Sequence, residues 1–315
     1  MRVRVLGEFD AVLNAKSVVP TATKPRQVFA LLALHVRRIV SVPMLIDELW
    51  GDRPPLSART TLQTYILRVR RHIEAALPPS ERARAKEILS TRFDGYVLNI
   101  EPDDVDACGY ERLVKLGNQA FRSGDHDTAS RLLGVALEKW QGRPLTGVRT
   151  GMRLGIEVAR LEESRLTALE SRIGADIQLG RHQAVLGELT SLTAEHPMHE
   201  NLFAYYMVAL YRSGRQWQAL EAFKVLRGNL DDELGVVPSD RLQKLHQAVL
   251  RSELDLESSI RRQWQPPVPT AVHDPLVPGL PAEALVEIAR HDELVNRHSR
   301  VINSPAGDGR AVWLR

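Results

Sequence analysis

The chain has 315 residues, 43% hydrophobic and 26% charged, with a single cysteine, Cys108. That is room for two globular domains and excludes an intramolecular disulfide framework or a Cys-based zinc site. The longest nearly unbroken apolar run, Val28 to Val36 cut by His35, is shorter than the roughly 20 residues that cross a bilayer, and Met1 to Gly7 lacks the apolar core of a secretory signal. The expectation is a cytoplasmic protein with no membrane partner. The net charge of +3 is unevenly spread. Residues 1–100 hold 16 Lys and Arg against 9 Asp and Glu, a net of +7, and the other 215 hold 26 against 30, a net of −4. One part is suited to a polyanion and the other is not.

Residues 2–9 alternate charged and apolar side chains, a period-two pattern that predicts a half-buried strand. Thr23 is placed to cap a helix running from Lys24-Pro25, with Val28, Leu31, Leu32, Ala33 and Leu34 as its apolar face. Ser41 caps a shorter helix carrying Leu45, Ile46, Leu49 and Trp50, which Gly51 stops. From Ser57 a helix of about 18 residues follows. Ala58, Tyr65, Ile66, Val69 and Ile73 lie within about 60° of Leu62 on its wheel and predict a core stripe. The opposite arc carries Thr60, Gln63, Thr64, Leu67, Arg68 and Arg71, with Arg59 and Arg70 on its shoulder. Thr and Gln reach base edges, Arg forks onto guanine or phosphate, and Leu67 is suited to a thymine methyl. Taken alone, the same arc also reads as a plain solvated face.

The next element tips the reading toward DNA. Ile88 to Phe93 and Tyr96 to Ile100 are alternating runs joined by Asp94-Gly95, which predicts a hairpin closed by a type I′ turn. Three helices and a hairpin within a basic segment is the order of a winged helix. The third helix then enters the major groove, and the hairpin lays Thr91 and Arg92 along the backbone or in the minor groove. The candidate contacts to bases or grooves are Thr60, Gln63, Thr64, Arg68 and Arg92. Those to phosphates are Lys24, Arg59, Arg70, Arg71 and Thr91.

From Asp103 strands give way to helical periods. Small and large residues recur at +5, +9 and +12 from three glycines: Ala129, Leu133 and Ala136 from Gly124; Val185, Leu189 and Leu192 from Gly180; Ala219, Phe223 and Leu226 from Gly214. Gly180 and Gly214 lie 34 residues apart and Pro197 sits 17 after Gly180, the spacing of tetratricopeptide helix pairs that stack into a solenoid. A bundle using the repeats for packing alone is the competing reading. Six prolines between residues 265 and 281 predict an extended linker, with a short amphipathic helix from Pro281 to about Arg297 and a loose end after it. The fold class expected is mainly α with a small β component, an N-terminal winged helix followed by an α-helical TPR-like solenoid. The divisions are 1–100, 101–255 and a linker and tail at 256–315.

Signs of catalysis are lacking. There is no phosphate-binding loop of either common type. His196-Pro197-Met198-His199-Glu200 fits neither zinc-helix motif and reads as polar residues at an inter-repeat turn. Cys108 reads as a half-buried apolar residue, and Trp50, Trp140 and Trp217 as core. No carboxylate pair suggests acid–base work. The expectation is no cofactor, no metal and no enzymatic activity.

Leu45-Ile46-Asp47-Glu48-Leu49-Trp50-Gly51, Pro54-Pro55, Ala58, Thr61-Leu62-Gln63, Val69-Arg70-Arg71 and Gly95-Tyr96-Val97-Leu98 resemble the OmpR/PhoB-type winged helix, in its Streptomyces antibiotic regulatory protein (SARP) branch. Trp140 to Leu145, Ala159 to Glu163, Leu179 to His182, Ala209 to Gln216 and Glu233-Leu234-Gly235 resemble that family's bacterial transcriptional activation domain. The likeness covers about residues 1–255. It implies a pathway-specific activator of secondary-metabolite (antibiotic) genes. Such a protein binds direct repeats in double-stranded promoter DNA near the −35 region, with self-association on DNA, and recruits RNA polymerase holoenzyme. It also implies Gln63, Thr64 and Arg68 toward bases, Arg70 and Arg71 toward phosphates, and Arg92 on the wing. The ATPase module of larger members and a phosphoacceptor receiver domain have no counterpart, which implies control by expression level or by a ligand. Two alternatives keep the same residues: a ligand-responsive winged-helix repressor, and a TPR-type scaffold that binds acidic peptides and not DNA.

Overall fold

The computed structural model describes residues 1–252. The proline-rich stretch and the helix expected after it lie outside the described residues. At the N-terminus β1 (Arg2–Arg4) pairs antiparallel with β2 (Asp10–Leu13), which turns through Asn14 and Ala15 into β3 (Lys16–Ser17). The single strand expected over 2–9 is therefore cut at Arg4. The reason is long-range: the backbone N–H groups of Val5 and Leu6 donate to the Asp106 carboxylate at 2.8 and 3.0 Å and leave the ladder.

Helix α1 (Thr23–Leu34) is buried almost all round, with Val28 through Ala33 fully enclosed. Thr23 is its first helical residue and not its cap; Ala22 holds the cap position without a side-chain bond. A Thr23 cap would need an N–H at Pro25 or Arg26, but Pro25 has none and that of Arg26 already bonds the Ala22 carbonyl at 3.1 Å. Ser41, at the end of β4 (Val40–Ser41), does cap α2 (Val42–Trp50), accepting from the Met44 N–H at 3.3 Å. Helix α3 (Ala58–Ala76) buries Ala58, Leu62, Ile66, Val69 and Ile73, the stripe its periodicity predicts. Tyr65 is half-buried and stacks on Trp50, itself half-buried and not fully core.

After a 3₁₀ turn and the short α4 (Ala85–Ile88) come β5 (Leu89–Arg92) and β6 (Gly95–Leu98), in a sheet of order β4-β6-β5. The hairpin stands, but its turn is shifted by one residue from the expected Asp94-Gly95. Arg92 pairs with Gly95, so Phe93 and Asp94 form the loop, and positive φ falls on Phe93 at 46°. Gly95 serves packing instead: a Cβ there would lie 2.5 Å from the Val40 carbonyl oxygen, so glycine lets β4 close on β6.

The remainder is helical. Helices α5 (Asp106–Arg122) and α6 (His126–Glu138), α7 (Met152–Gln178) and α8 (Leu186–Glu195), and α9 (Glu200–Arg212) and α10 (Gln216–Leu234) form successive pairs, closed by α11 (Asp240–Arg251). Each pair turns at one of the three repeat glycines, Gly124, Gly180 and Gly214, all at positive φ. All nine repeat residues are buried. Trp217 departs from its expected core position and is 71% exposed. It lies two residues before Ala219, so at about 100° per residue it projects away from the buried Ala219–Phe223–Leu226 stripe. Trp140 is buried edge-to-face against Tyr110.

The winged-helix region and the helical array are joined by buried polar bonds. Glu48 of α2, 3% exposed, accepts from the Gly151 and Leu154 N–H groups at 2.6 and 3.0 Å and from Gln27 at 2.6 Å. It thereby caps α7, which has no side-chain cap of its own, and meets the positive end of that helix's dipole. Arg153 adds an ion pair to Asp47 at 2.7 Å, and Phe9 donates to the Thr146 carbonyl at 3.0 Å.

Candidate nucleic-acid interface

The α3 periodicity that buries Leu62 and Ile66 turns Thr60, Gln63, Thr64, Leu67, Arg68 and Arg71 outward, and all six are exposed. Thr64 bonds back to the Thr60 carbonyl at 3.2 Å, which fixes its hydroxyl against the helix and leaves the oxygen free to accept. Arg68, Arg71 and Arg92 are exposed, and none of the three has an ion pair among the described residues. Their charges are available to an outside anion.

Two other arginines tie the hairpin to α3. Arg70 is half-buried and donates through Nε to the Leu89 carbonyl at 2.8 Å and through Nη2 to the Thr91 hydroxyl at 2.9 Å. Burial holds its pKa below the usual arginine value. Arg59, in the first turn of α3, pairs with Asp94 in the hairpin loop at 3.4 Å. Tyr96 of β6 lies near both arginines, its phenol pushed up mainly by burial. Eleven residues separate Arg59 from Arg70, about 16 Å along a helix. That is close to the reach of β5 together with its loop, from Leu89 to Asp94. The hairpin therefore lies alongside α3, its base at Arg70 and its tip at Arg59.

The ten candidate contacts thus fall into three sets. Thr60, Gln63, Thr64, Arg68, Arg71 and Arg92 present open polar groups. Arg59, Arg70 and Thr91 border them but are engaged in holding the wing. Lys24 stands apart: its ammonium bonds the Leu49 carbonyl at 3.4 Å and lies 4.4 Å from the Trp50 ring centroid. Desolvation, with Arg149 nearby, lowers its pKa. Sequence reading missed two kinds of residue. Phe93, at the wing tip, is 97% exposed; its mark in the sequence is an aromatic beside a turn signal. Glu48 and Asp106 leave no such mark, because the backbone groups they hold, Gly151 and Leu154 for Glu48 and Val5 and Leu6 for Asp106, lie 100 or more residues away.

Elsewhere the constellations set aside from the sequence have ordinary surroundings. His199 lies 3.0 Å from the buried Glu170 carboxylate, whose hydrogen bond raises the histidine pKa. Burial pushes the Cys108 thiol up to about 11. No group of three metal-ligating side chains occurs among the described residues, and no helix there is long and apolar enough to cross a membrane.

Comparison with known proteins agrees with this architecture. Residues 16–98 match the family described as transcriptional regulatory protein, C terminal, and residues 105–250 match the bacterial transcriptional activator domain. The chain is 54% identical over 253 residues to the regulatory protein DnrI of Streptomyces peucetius, covering 80% of this chain and 93% of that one. It is 37% identical to the transcriptional regulator RedD of Streptomyces coelicolor, covering 80% and 71%. A solved structure of EmbR from Mycobacterium tuberculosis, in complex with a low-affinity phosphopeptide, superimposes with a TM-score of 0.75 at 27% identity over 94% of this chain and 70% of that one. An OmpR/PhoB-type winged helix followed by a bacterial transcriptional activator domain, with these relatives, places the chain in the Streptomyces antibiotic regulatory protein family of transcriptional activators.

Proposed function

We propose that this activator binds double-stranded promoter DNA with α3 in the major groove and the β5–β6 wing beside it. In this reading it occupies direct repeats near the −35 region, neighbouring copies associate on the DNA, and the helical array recruits RNA polymerase holoenzyme. The regulated genes are those of an antibiotic or other secondary-metabolite pathway. The observation that carries the proposal is the exposed face of α3 holding Thr60, Gln63, Thr64, Arg68 and Arg71, with Arg92 exposed on the wing, the three arginines having no ion pair among the described residues. Amides and hydroxyls read base edges there, and the guanidinium groups supply phosphate or guanine contacts. Arg70 and Thr91 position the wing in this proposal, with their remaining donors toward phosphate, and Lys24 steadies the end of α2. The protein works in the cytoplasm by binding, with no chemistry or cofactor of its own.

The α2–α7 junction supports the coupling of the two activities. A helical array capped by a side chain of the winged helix is held in a fixed register to α3, so DNA spacing sets where the array meets polymerase. The test is footprinting on promoters adjacent to the gene, followed by transcription with purified polymerase. Binding should weaken steeply with salt as counterions are released, and transcript should rise above the level of polymerase alone. Transcript falling on binding supports a repressor instead, and equal affinity for operator and scrambled duplex supports a scaffold. Arg68→Ala should weaken operator binding by about 1–3 kcal/mol and relax one base position, with the thermal midpoint unchanged. Unchanged operator affinity removes Arg68 from the site.

A further inference from the structure

The most exposed aromatic of the described residues is at the tip of the wing. Phe93 is 97% exposed and sits at φ 46°, a left-handed conformation in which an L-residue's Cβ crowds its own backbone. Asparagine or glycine takes that position in a hairpin loop with less strain, and both keep an apolar ring out of water. A strained aromatic whose ring gains nothing from burial costs the fold stability without return, which points to a use outside the fold.

The surroundings say what kind of partner it meets. Arg92 precedes it on β5, exposed and without an ion pair among the described residues. Asp94 follows it, and Arg59 from α3 holds that carboxylate at 3.4 Å. The one acidic group at the tip is thereby neutralised by the helix assigned to DNA. The hairpin runs beside α3, so a helix lying in the major groove carries the wing tip across the phosphate wall to the adjacent minor groove. That groove is about 6 Å wide, and apolar side chains enter it against sugars and between base steps.

We propose that Phe93 is a DNA contact in its own right, an apolar side chain laid into the minor groove beside the major-groove site. The proposal rests on the DNA-binding reading above. It differs from the charged contacts in its signature: a ring releases no counterions, so it adds affinity without adding salt dependence.

The test uses the full-length chain and a duplex that it enriches from a random-sequence pool. Phe93→Ala and Phe93→Asn should each weaken binding by about tenfold, the loss expected for removing one buried aromatic contact, with the salt slope unchanged. Phe93→Leu should retain most of the affinity. Arg92→Ala should instead make the slope shallower by about one. Phe93→Asn should raise the thermal midpoint while it weakens binding, a divergence that a packing role cannot produce. With dimethyl sulfate, the wild-type chain should protect adenine N3 in the minor groove beside the major-groove footprint. Phe93→Ala should lose that protection and keep protection of guanine N7. Equal affinity of wild type and Phe93→Ala overturns the assignment and leaves DNA binding standing. Lost polymerase-dependent transcription at unchanged affinity also overturns it, by turning Phe93 toward polymerase. If no duplex is enriched, the DNA-binding reading falls and this inference falls with it.

Discussion

Arg68 on α3 and Glu48 on α2 are both charged residues on amphipathic helices of the same winged-helix region. Arg68 is exposed, without an ion pair among the described residues. Glu48 is 3% exposed, and its two oxygens take three donors, two of them from the start of α7. One group is left open to a partner outside the chain, and the other has its partner inside. The contrast teaches that a charged residue's place on its own helix does not reveal its role; the location of its counterpart does. Arg59 and Arg70 fall between the extremes, bordering the open face while bonded to the wing.

The sharpest way to break the comparison is to remove the inner partner. Glu48→Ala leaves the Gly151 and Leu154 N–H groups without their acceptor at a buried site and takes one of two acceptors from the Gln27 amide, which keeps the carbonyl of residue 48. It should cost about 3 kcal/mol, lowering the thermal midpoint by about 6–12 °C for a chain of this size. Activation should fall with it even where folded protein still binds DNA. A midpoint within a degree or two of wild type would mean that the junction does not hold the two regions together. Arg70→Ala is expected to come next, at about 1–2 kcal/mol of stability for two bonds to a partly solvated guanidinium. It should also weaken DNA binding by releasing the wing. Arg70→Lys keeps the charge but not the planar fork, so it should not restore the affinity; full restoration would reduce the role of Arg70 to charge alone.

The smallest effect concerns the His199–Glu170 pair inside the helical array. The folded-state pKa of His199 is raised, so its contribution to stability is fully present below the unfolded value near 6.5. It is lost as pH rises through the folded value. His182 and His246 have lowered pKa values and act in the opposite sense, losing stability as the solution is acidified. The difference in midpoint between wild type and His199→Asn isolates the pair. It should be larger at pH 6 than at pH 8.5, and a difference independent of pH would show that the pair contributes no charge-linked stability.

Local chemistry was legible where the determinant lay within one element. The stripe from Ala58 to Ile73, the Ser41 cap and the nine buried repeat residues follow from periodicity and capping, because a helix wheel and a cap need only neighbours a few residues away. The exposed set on α3 came from the same wheel. The failures arise where the backbone at a helix start, the phase of a helix or a strand distant along the chain overrides the local signal. Thr23 lost its capping role to Ala22 because Pro25 has no N–H and that of Arg26 bonds the Ala22 carbonyl. The hairpin turn moved to Phe93-Asp94 because Gly95 is needed where β4 approaches β6. Trp217 reads as apolar in any window, yet the phase of its helix points it outward.

The sequence by itself determined the kind of protein: helices and a hairpin in winged-helix order, a basic region with a polar recognition arc, and glycine-turned helix pairs after it. These are properties of composition and short-range periodicity, which the chain carries wherever it folds. Tertiary structure decided which charges remain available. It sent Asp106 to the backbone of Val5 and Leu6, Glu48 to the start of α7, Arg70 to the base of the wing, and Lys24 to Leu49 and Trp50. A buried polar group needs a partner, and that partner can lie 100 residues away. The groups left over after that pairing, with Phe93 at the wing tip, make up the surface proposed to meet DNA.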